Sequence, residues 1–152
     1  MVEQTNTPEP DEVKAWLKKR TDEAVLELMV DGVYVDRLVE AKPVWAAPCQ
    51  ILIGKIRELG EPNRFRWFIC GEVPTDHLEA AAAATPREAA RHFAMKWQLD
   101  AARLREAAHQ QSGGTPASAP ERDDYAGQLA ARAEGLFALV NDAKIWRRAS
   151  GF

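Results

Sequence analysis

The chain has 152 residues, of which 46% are hydrophobic and 28% charged, with a formal net charge of −3. These are the proportions of an ordinary globular protein, and they exclude disordered and fibrous classes. The mild acidity argues against broad phosphate-backbone binding, which needs a concentrated basic surface.

At this length a single domain over residues 1–152 is expected, with a flexible N-terminus at 1–8, and roughly 70% of the unfolded surface becomes buried. No apolar run approaches the ~20 residues that cross a bilayer. Met1-Val2-Glu3-Gln4-Thr5-Asn6 lacks the basic start and apolar stretch of a signal peptide. A cytoplasmic protein without membrane association is therefore expected. Cys49 and Cys70 are too few for a disulfide scaffold and form no C-x-x-C pair, so neither zinc nor another metal is expected.

The first helix is predicted from Thr7-Pro8-Glu9-Pro10-Asp11-Glu12, where prolines and acids suit a first turn. Val13, Trp16, Leu17, Ala24 and Leu28 supply its apolar stripe, and Asp31-Gly32 its stop. Val33-Tyr34-Val35 reads as a short strand and Arg37-Leu38-Val39 as a further helical turn. A β-hairpin follows: Cys49–Ile56 is rich in β-branched residues, Arg64–Cys70 in aromatics, and Gly60-Glu61-Pro62-Asn63 is turn chemistry.

Pro74-Thr75-Asp76-His77 is predicted to open a short helical stretch through Ala80–Ala84, broken at Thr85-Pro86. Thr85, Pro86 and Glu88 then form a capping box for the next helix, whose stripe is Phe93, Trp97, Ala101, Leu104 and Ala108. Residues 110–122, rich in Gly, Ser and Pro, read as a flexible loop. A last helix starts near Asp123-Asp124, buries Tyr125, Leu129, Ala133, Leu136 and Val140, and carries Trp146 near its end. The fold class that results is α+β, mostly helical, with about four helices packed on a small antiparallel sheet built around the hairpin.

The densest polar cluster is the turn Cys70-Gly71-Glu72-Val73-Pro74-Thr75-Asp76-His77. Cys70 is a candidate thiol nucleophile, and Glu72, Asp76 and His77 are candidate general bases. The same residues also suit purely structural work: Thr75 or Asp76 as a helix N-cap, Gly71 and Pro74 as turn formers, Cys70 as a small buried hydrophobe. Lys55, Arg57, Arg64 and Arg66 make a basic patch on the hairpin. Strand alternation places Phe65 and Trp67 opposite Arg64 and Arg66, so the patch reads as a solvated face without nucleic-acid contact. No phosphate loop, nucleophile elbow or dinucleotide fingerprint is present.

The stretch Trp67-Phe68-Ile69-Cys70-Gly71-Glu72-Val73-Pro74-Thr75-Asp76-His77, with Pro43-Val44-Trp45-Ala46-Ala47-Pro48 upstream, resembles a short bacterial family classed as a domain of unknown function. Pro86-Arg87-Glu88-Ala89-Ala90-Arg91-His92-Phe93-Ala94-Met95-Lys96-Trp97 is similar to the helix that follows in that family. The resemblance implies a small stand-alone bacterial protein and brings no catalytic residue with it.

The leading expectation is a non-catalytic binding protein with a protein partner, most concretely an immunity protein that neutralises a cognate toxin. The chain is small and mildly acidic, and no nucleophile–base–orienter set is legible in it. One alternative is a small enzyme or small-molecule-binding domain using Cys70, Glu72, Thr75, Asp76 and His77. Another is a self-associating structural protein whose hairpin edge pairs across a two-fold axis, so that monomer and homodimer are both open. No catalytic, cofactor-binding or metal-binding residue is assigned.

Overall fold

The computed structural model describes residues 9–34, 38–47, 50–61, 64–110 and 118–148. By contact the chain divides into two compact units, residues 1–81 with 148–152 and residues 82–147.

The first unit opens with helix α1, Pro10–Val30. Its buried positions are Leu17, Thr21, Ala24 and Leu28, spaced by three or four residues along one face. Thr21 offsets the cost of burying a hydroxyl by donating it to the Leu17 carbonyl at 2.7 Å. The predicted stop at Asp31-Gly32 is a Schellman cap: Val33 N–H donates to the Leu28 carbonyl and Gly32 N–H to the Met29 carbonyl, each at 3.0 Å. Gly32 takes the left-handed φ of 85° that this cap requires.

Four strands follow, β1 Val39–Ala47, β2 Ile51–Glu58, β3 Phe65–Gly71 and β4 Asp76–Glu79, joined in that order as an antiparallel meander. The predicted hairpin is β2–β3, with Ile53 opposite Ile69 and Lys55 opposite Trp67. Cys49 and the turn residues Pro62 and Asn63 lie outside the described residues, as do Val35 to Arg37. Val33-Tyr34 is a turn rather than a strand, and Val39 belongs to β1 rather than to a helical turn.

Two strands were not predicted. β1 was hidden by Pro43, which cannot donate to a ladder; as an edge strand β1 tolerates it, and the register slips between Pro43 and Trp45. β4 replaces the first part of the helical stretch expected from Pro74 through Ala84. Extended pairing of Asp76–Glu79 satisfies the outer edge of β3, and only Ala80–Ala82 make a single 3₁₀ turn.

One sheet face packs on α1. Leu17, Ala24 and Leu28 meet Leu52, Ile56, Phe68 and Cys70, with Tyr34 and Ala46 at the margins. Gly54 belongs to this face. A Cβ there would lie 2.6 Å from the Phe68 ring, so the glycine provides the space that the ring fills.

The second unit holds helices α2 Pro86–Gln110, α3 Ser118–Val140 and α4 Ala143–Arg148. At the start of α2 the Thr85 hydroxyl accepts from Glu88 N–H at 3.1 Å, as the capping box predicts. Glu88 reaches one residue further back than expected, accepting from Ala84 N–H at 2.8 Å. α2 packs on α3. Arg87 in the first turn of α2 donates to the Val140 carbonyl ending α3 at 2.8 Å, so the two helices run antiparallel.

α3 begins at Ser118, inside the segment read as a loop; residues 111–117 lie outside the described ones. Its buried stripe is Ala126, Leu129, Ala133, Leu136 and Val140, with Tyr125 exposed instead of buried. The last helix is also broken once. Asp142 caps a new start by accepting from Lys144 N–H at 3.2 Å, and Trp146 Nε1 donates back to the Leu139 carbonyl at 2.8 Å. Among the described residues no helix is long and apolar enough to cross a membrane.

Two glycines give a matched stability test. Gly60 (φ 92°) has nothing within 4 Å of an added Cβ, whereas at Gly71 (φ 114°) a Cβ would run into the Gln50 backbone carbonyl. In urea unfolding, Gly60→Ala is expected to cost about 1 kcal/mol, the strain of a left-handed residue alone. Gly71→Ala is expected to cost at least about 3 kcal/mol, strain plus steric displacement. Equal losses would show that the Gln50 contact does not matter.

Candidate functional site

Gly71 turns the chain out of β3, and Asp76 begins the strand that pairs back on it. The Cys70–His77 cluster is therefore the connection of a β-hairpin, not the strand-to-helix turn that was expected. Cys70 is buried on the α1 side, its Sγ 3.6 Å from the Arg20 carbonyl. Burial pushes its thiol up to about 12, a desolvation effect larger than the opposing attraction of Arg20. At neutral pH it stays protonated and is a poor nucleophile.

Glu72 is exposed and lies 3.6 Å from Arg20, which also pairs with Glu23 at 3.2 Å. Asp76 Oδ1 accepts from His77 N–H at 2.8 Å. His77 Nδ1 stands 3.3 Å from an Arg66 guanidinium nitrogen. Because a guanidinium only donates, that contact favours the tautomer with Nδ1 unprotonated. Asp76 is opposite Ile69 and His77 opposite Phe68, so these neighbours project to opposite faces of the sheet. Thr75 is half-buried in the connection. The five residues do not converge on one point.

A different constellation forms on the sheet face away from α1. Along β2 its positions are Ile51 and Ile53, which are buried, then Lys55 and Arg57. On β3 they are Ile69 and Trp67, also buried, then Phe65. On β1 they are Trp45, then Lys42 and Glu40, which pair with Lys55 and Arg57. One end of this face is thus apolar and buried, and the other is charged and open.

The open end holds a cleft of about 570 Å³ walled by Glu40, Lys42, Lys55, Arg57 and Phe65, with Pro43 and Val44 at the strand slip. Lys55 Nζ sits 4.5 Å from the centre of the Phe65 ring and 5.1 Å from that of Trp67. The rings meet edge to face, 5.6 Å apart, and present a cation site. Arg57 donates twice to Glu40 Oε2, at 3.2 and 2.8 Å, and Lys42 Nζ lies 3.5 Å from Oε1. Hydrogen bonding to Arg57, then its charge and that of Lys42, hold the Glu40 carboxyl below its ordinary value.

Beyond the cleft, Leu59 N–H donates to the Leu38 carbonyl at 2.8 Å. The two residues are 55% and 77% exposed, large values for leucines that stand side by side. A second cleft, about 460 Å³, lies among Tyr34, Glu58, Arg64, Arg66 and Glu79 and carries both signs of charge.

The sequence reading separated the aromatics from the basic residues. That holds for Arg66, which lies on the α1 side with His77. It fails for Lys55 and Arg57, because the antiparallel register sets Lys55 against Trp67 and Arg57 against Phe65, on one face. Alternation within each strand does not show this, because which residues of two strands share a face depends on their pairing register.

A family model described as a domain of unknown function (DUF4826) matches residues 11–146. No curated protein and no solved structure matches the chain.

The state of Cys70 has two measurable consequences. At pH 8 its alkylation by iodoacetamide, read by peptide mass spectrometry so that Cys49 is scored apart, is expected to be at least about 100-fold slower than that of a free thiol. The second concerns pH. A thiol raised from 9.0 to about 12 keeps its proton in the folded state while the unfolded chain loses it. Stability therefore falls through that window, by up to about 1.4 kcal/mol per pH unit. The Cys70→Ala variant should lack that share of the slope.

Proposed function

This chain belongs to the family described as a domain of unknown function (DUF4826), and we propose that it acts there as a non-catalytic protein-binding protein, most concretely an immunity protein that neutralises a cognate toxin. The observation that carries the reading is the exposed pair Leu38 and Leu59, at the end of the strand positions that present Glu40, Lys42, Lys55 and Arg57. Exposed apolar side chains beside charged ones are a common component of a protein interface. Burying both leucines against a partner would contribute about 3 kcal/mol to association. A partner of standard size would cover about 800 Å² of this chain.

The enzyme alternative draws little support from Cys70, Glu72, Thr75, Asp76 and His77. The thiol is buried, Glu72 pairs with Arg20, and Asp76 and His77 face apart. Self-association through the hairpin edge is disfavoured by topology. β2 and β3 are the central strands, and the edges that remain are β1, broken by Pro43 and its slip, and the four-residue β4.

The test is capture of the tagged chain from its native cells, with mass spectrometry of the eluate. One stoichiometric partner is expected that is toxic when expressed alone and harmless when the chain is co-expressed. The double substitution Leu38→Asp with Leu59→Asp should lower capture at least about tenfold without moving the thermal midpoint, since surface changes of this kind rarely alter stability. An empty eluate contradicts protein binding. A captured partner that is harmless alone contradicts the immunity role.

A further inference from the structure

We infer that the Lys42–Lys55–Arg57 cleft receives an acidic peptide segment of the partner protein; this rests on the protein-binding reading and names the chemistry that the partner must present. The charge count leads there. In a chain of net charge −3, the cleft gathers three cations against one carboxylate. That carboxylate is already engaged on both oxygens, Oε2 by Arg57 and Oε1 by Lys42.

Lys55 has no carboxylate partner among the described residues. Its ammonium lies over the Phe65 and Trp67 rings instead, which leave its charge unneutralised. An incoming carboxylate would supply the stronger, charge-assisted partner that the rings cannot.

The shape of the cleft selects among anions. Lys42 has 73% of its side chain exposed, and the cleft opens across the sheet face. A small anion would stay largely in water there, unlike a ligand in an enclosing pocket. A single-stranded nucleic acid needs open ring faces for its bases, and Trp67 is 1% exposed beneath Lys55. A peptide can place one or two carboxylates at Lys55 and Lys42 and lay an apolar side chain on Phe65 and Leu38. Pro43 withholds a ladder N–H and the strand slips beside it, so the segment crosses the face through its side chains and does not extend β1.

The experiment is an NMR titration of the full chain with an acetylated peptide of six glutamates and one phenylalanine. The same peptide with glutamines, inorganic phosphate and a thymidine hexanucleotide serve as competitors. Saturable shifts are expected at the amides of Lys42, Lys55, Arg57 and Phe65, weakening as salt rises from about 50 to 300 mM. Affinity should fall at least tenfold in Lys55→Gln and recover in Lys55→Arg. Lys42→Gln, at an exposed position, repeats the loss should Lys55→Gln not fold. Equal binding of the glutamine peptide, shifts centred on Lys14, Lys18 and Lys19 of α1, or displacement by phosphate or the oligonucleotide would each overturn the inference. If a native partner is captured as well by Lys55→Gln as by the unaltered chain, the cleft assignment fails and protein binding stands. An empty capture beside an intact titration fails protein binding alone.

Discussion

The first unit depends on a change of character half-way along one strand. In β2, four successive residues, Ile51 to Gly54, are buried, so both faces are apolar there. A strand buried on both sides reads as a continuous hydrophobic run, which Ile51-Leu52-Ile53 is. From Lys55 onward only the α1 side stays buried, through Ile56, and the other side becomes cationic. Leu52, Ile53 and Ile56 have no exposed surface, and each contributes about 2 kcal/mol of apolar burial. That anchoring fixes the register, and a slip of one residue would exchange Lys55 for Ile56 on the buried side.

Everything charged on the open face inherits its position from that register. Lys55 comes to lie over Phe65 and Trp67 because β3 is anchored by Ile69 and Phe68. Arg57 meets Glu40 because the β1 ladder holds despite Pro43. The cleft is built on strands rather than on a loop, and its walls are the continuation of a packed core. The Cys70–His77 turn serves the same register from the other end. Glu72 N–H donates to the Gln50 carbonyl at 2.7 Å, tying the β3–β4 turn to the start of β2. In that turn Cys70 acts as core, Gly71 as a backbone pivot and Glu72 as an ion-pair partner.

Much of the fold was legible where one local signal acted alone. The α1 stripe, its glycine stop, the β2–β3 hairpin and the Thr85–Glu88 cap all follow from spacing and capping chemistry, as does the α+β class. What escaped needed information from elsewhere in the chain. β1 carries a proline that an edge strand tolerates, and edge position cannot be read from nine residues. β4 is four residues whose extended form is stabilised by β3, next to alanines that prefer a helix in isolation. The turn was picked out by its density of polar side chains, which is equally the composition of a tight connection. The cleft was missed because same-face neighbours on two strands are defined only once the pairing is known. Leu38 and Leu59 gave no signal in sequence, since isolated leucines at strand ends look like core.

On the protein-binding reading, the chain works through the open end of this sheet face. Lysine acylation footprinting tests it most directly, comparing the chain alone with the chain in its captured complex. Lys14, Lys18 and Lys19, exposed on α1, serve as internal references. Lys42 and Lys55 are expected to be protected in the complex while the α1 lysines react as before. Unchanged labelling of Lys42 and Lys55, with protection on α1, would contradict it.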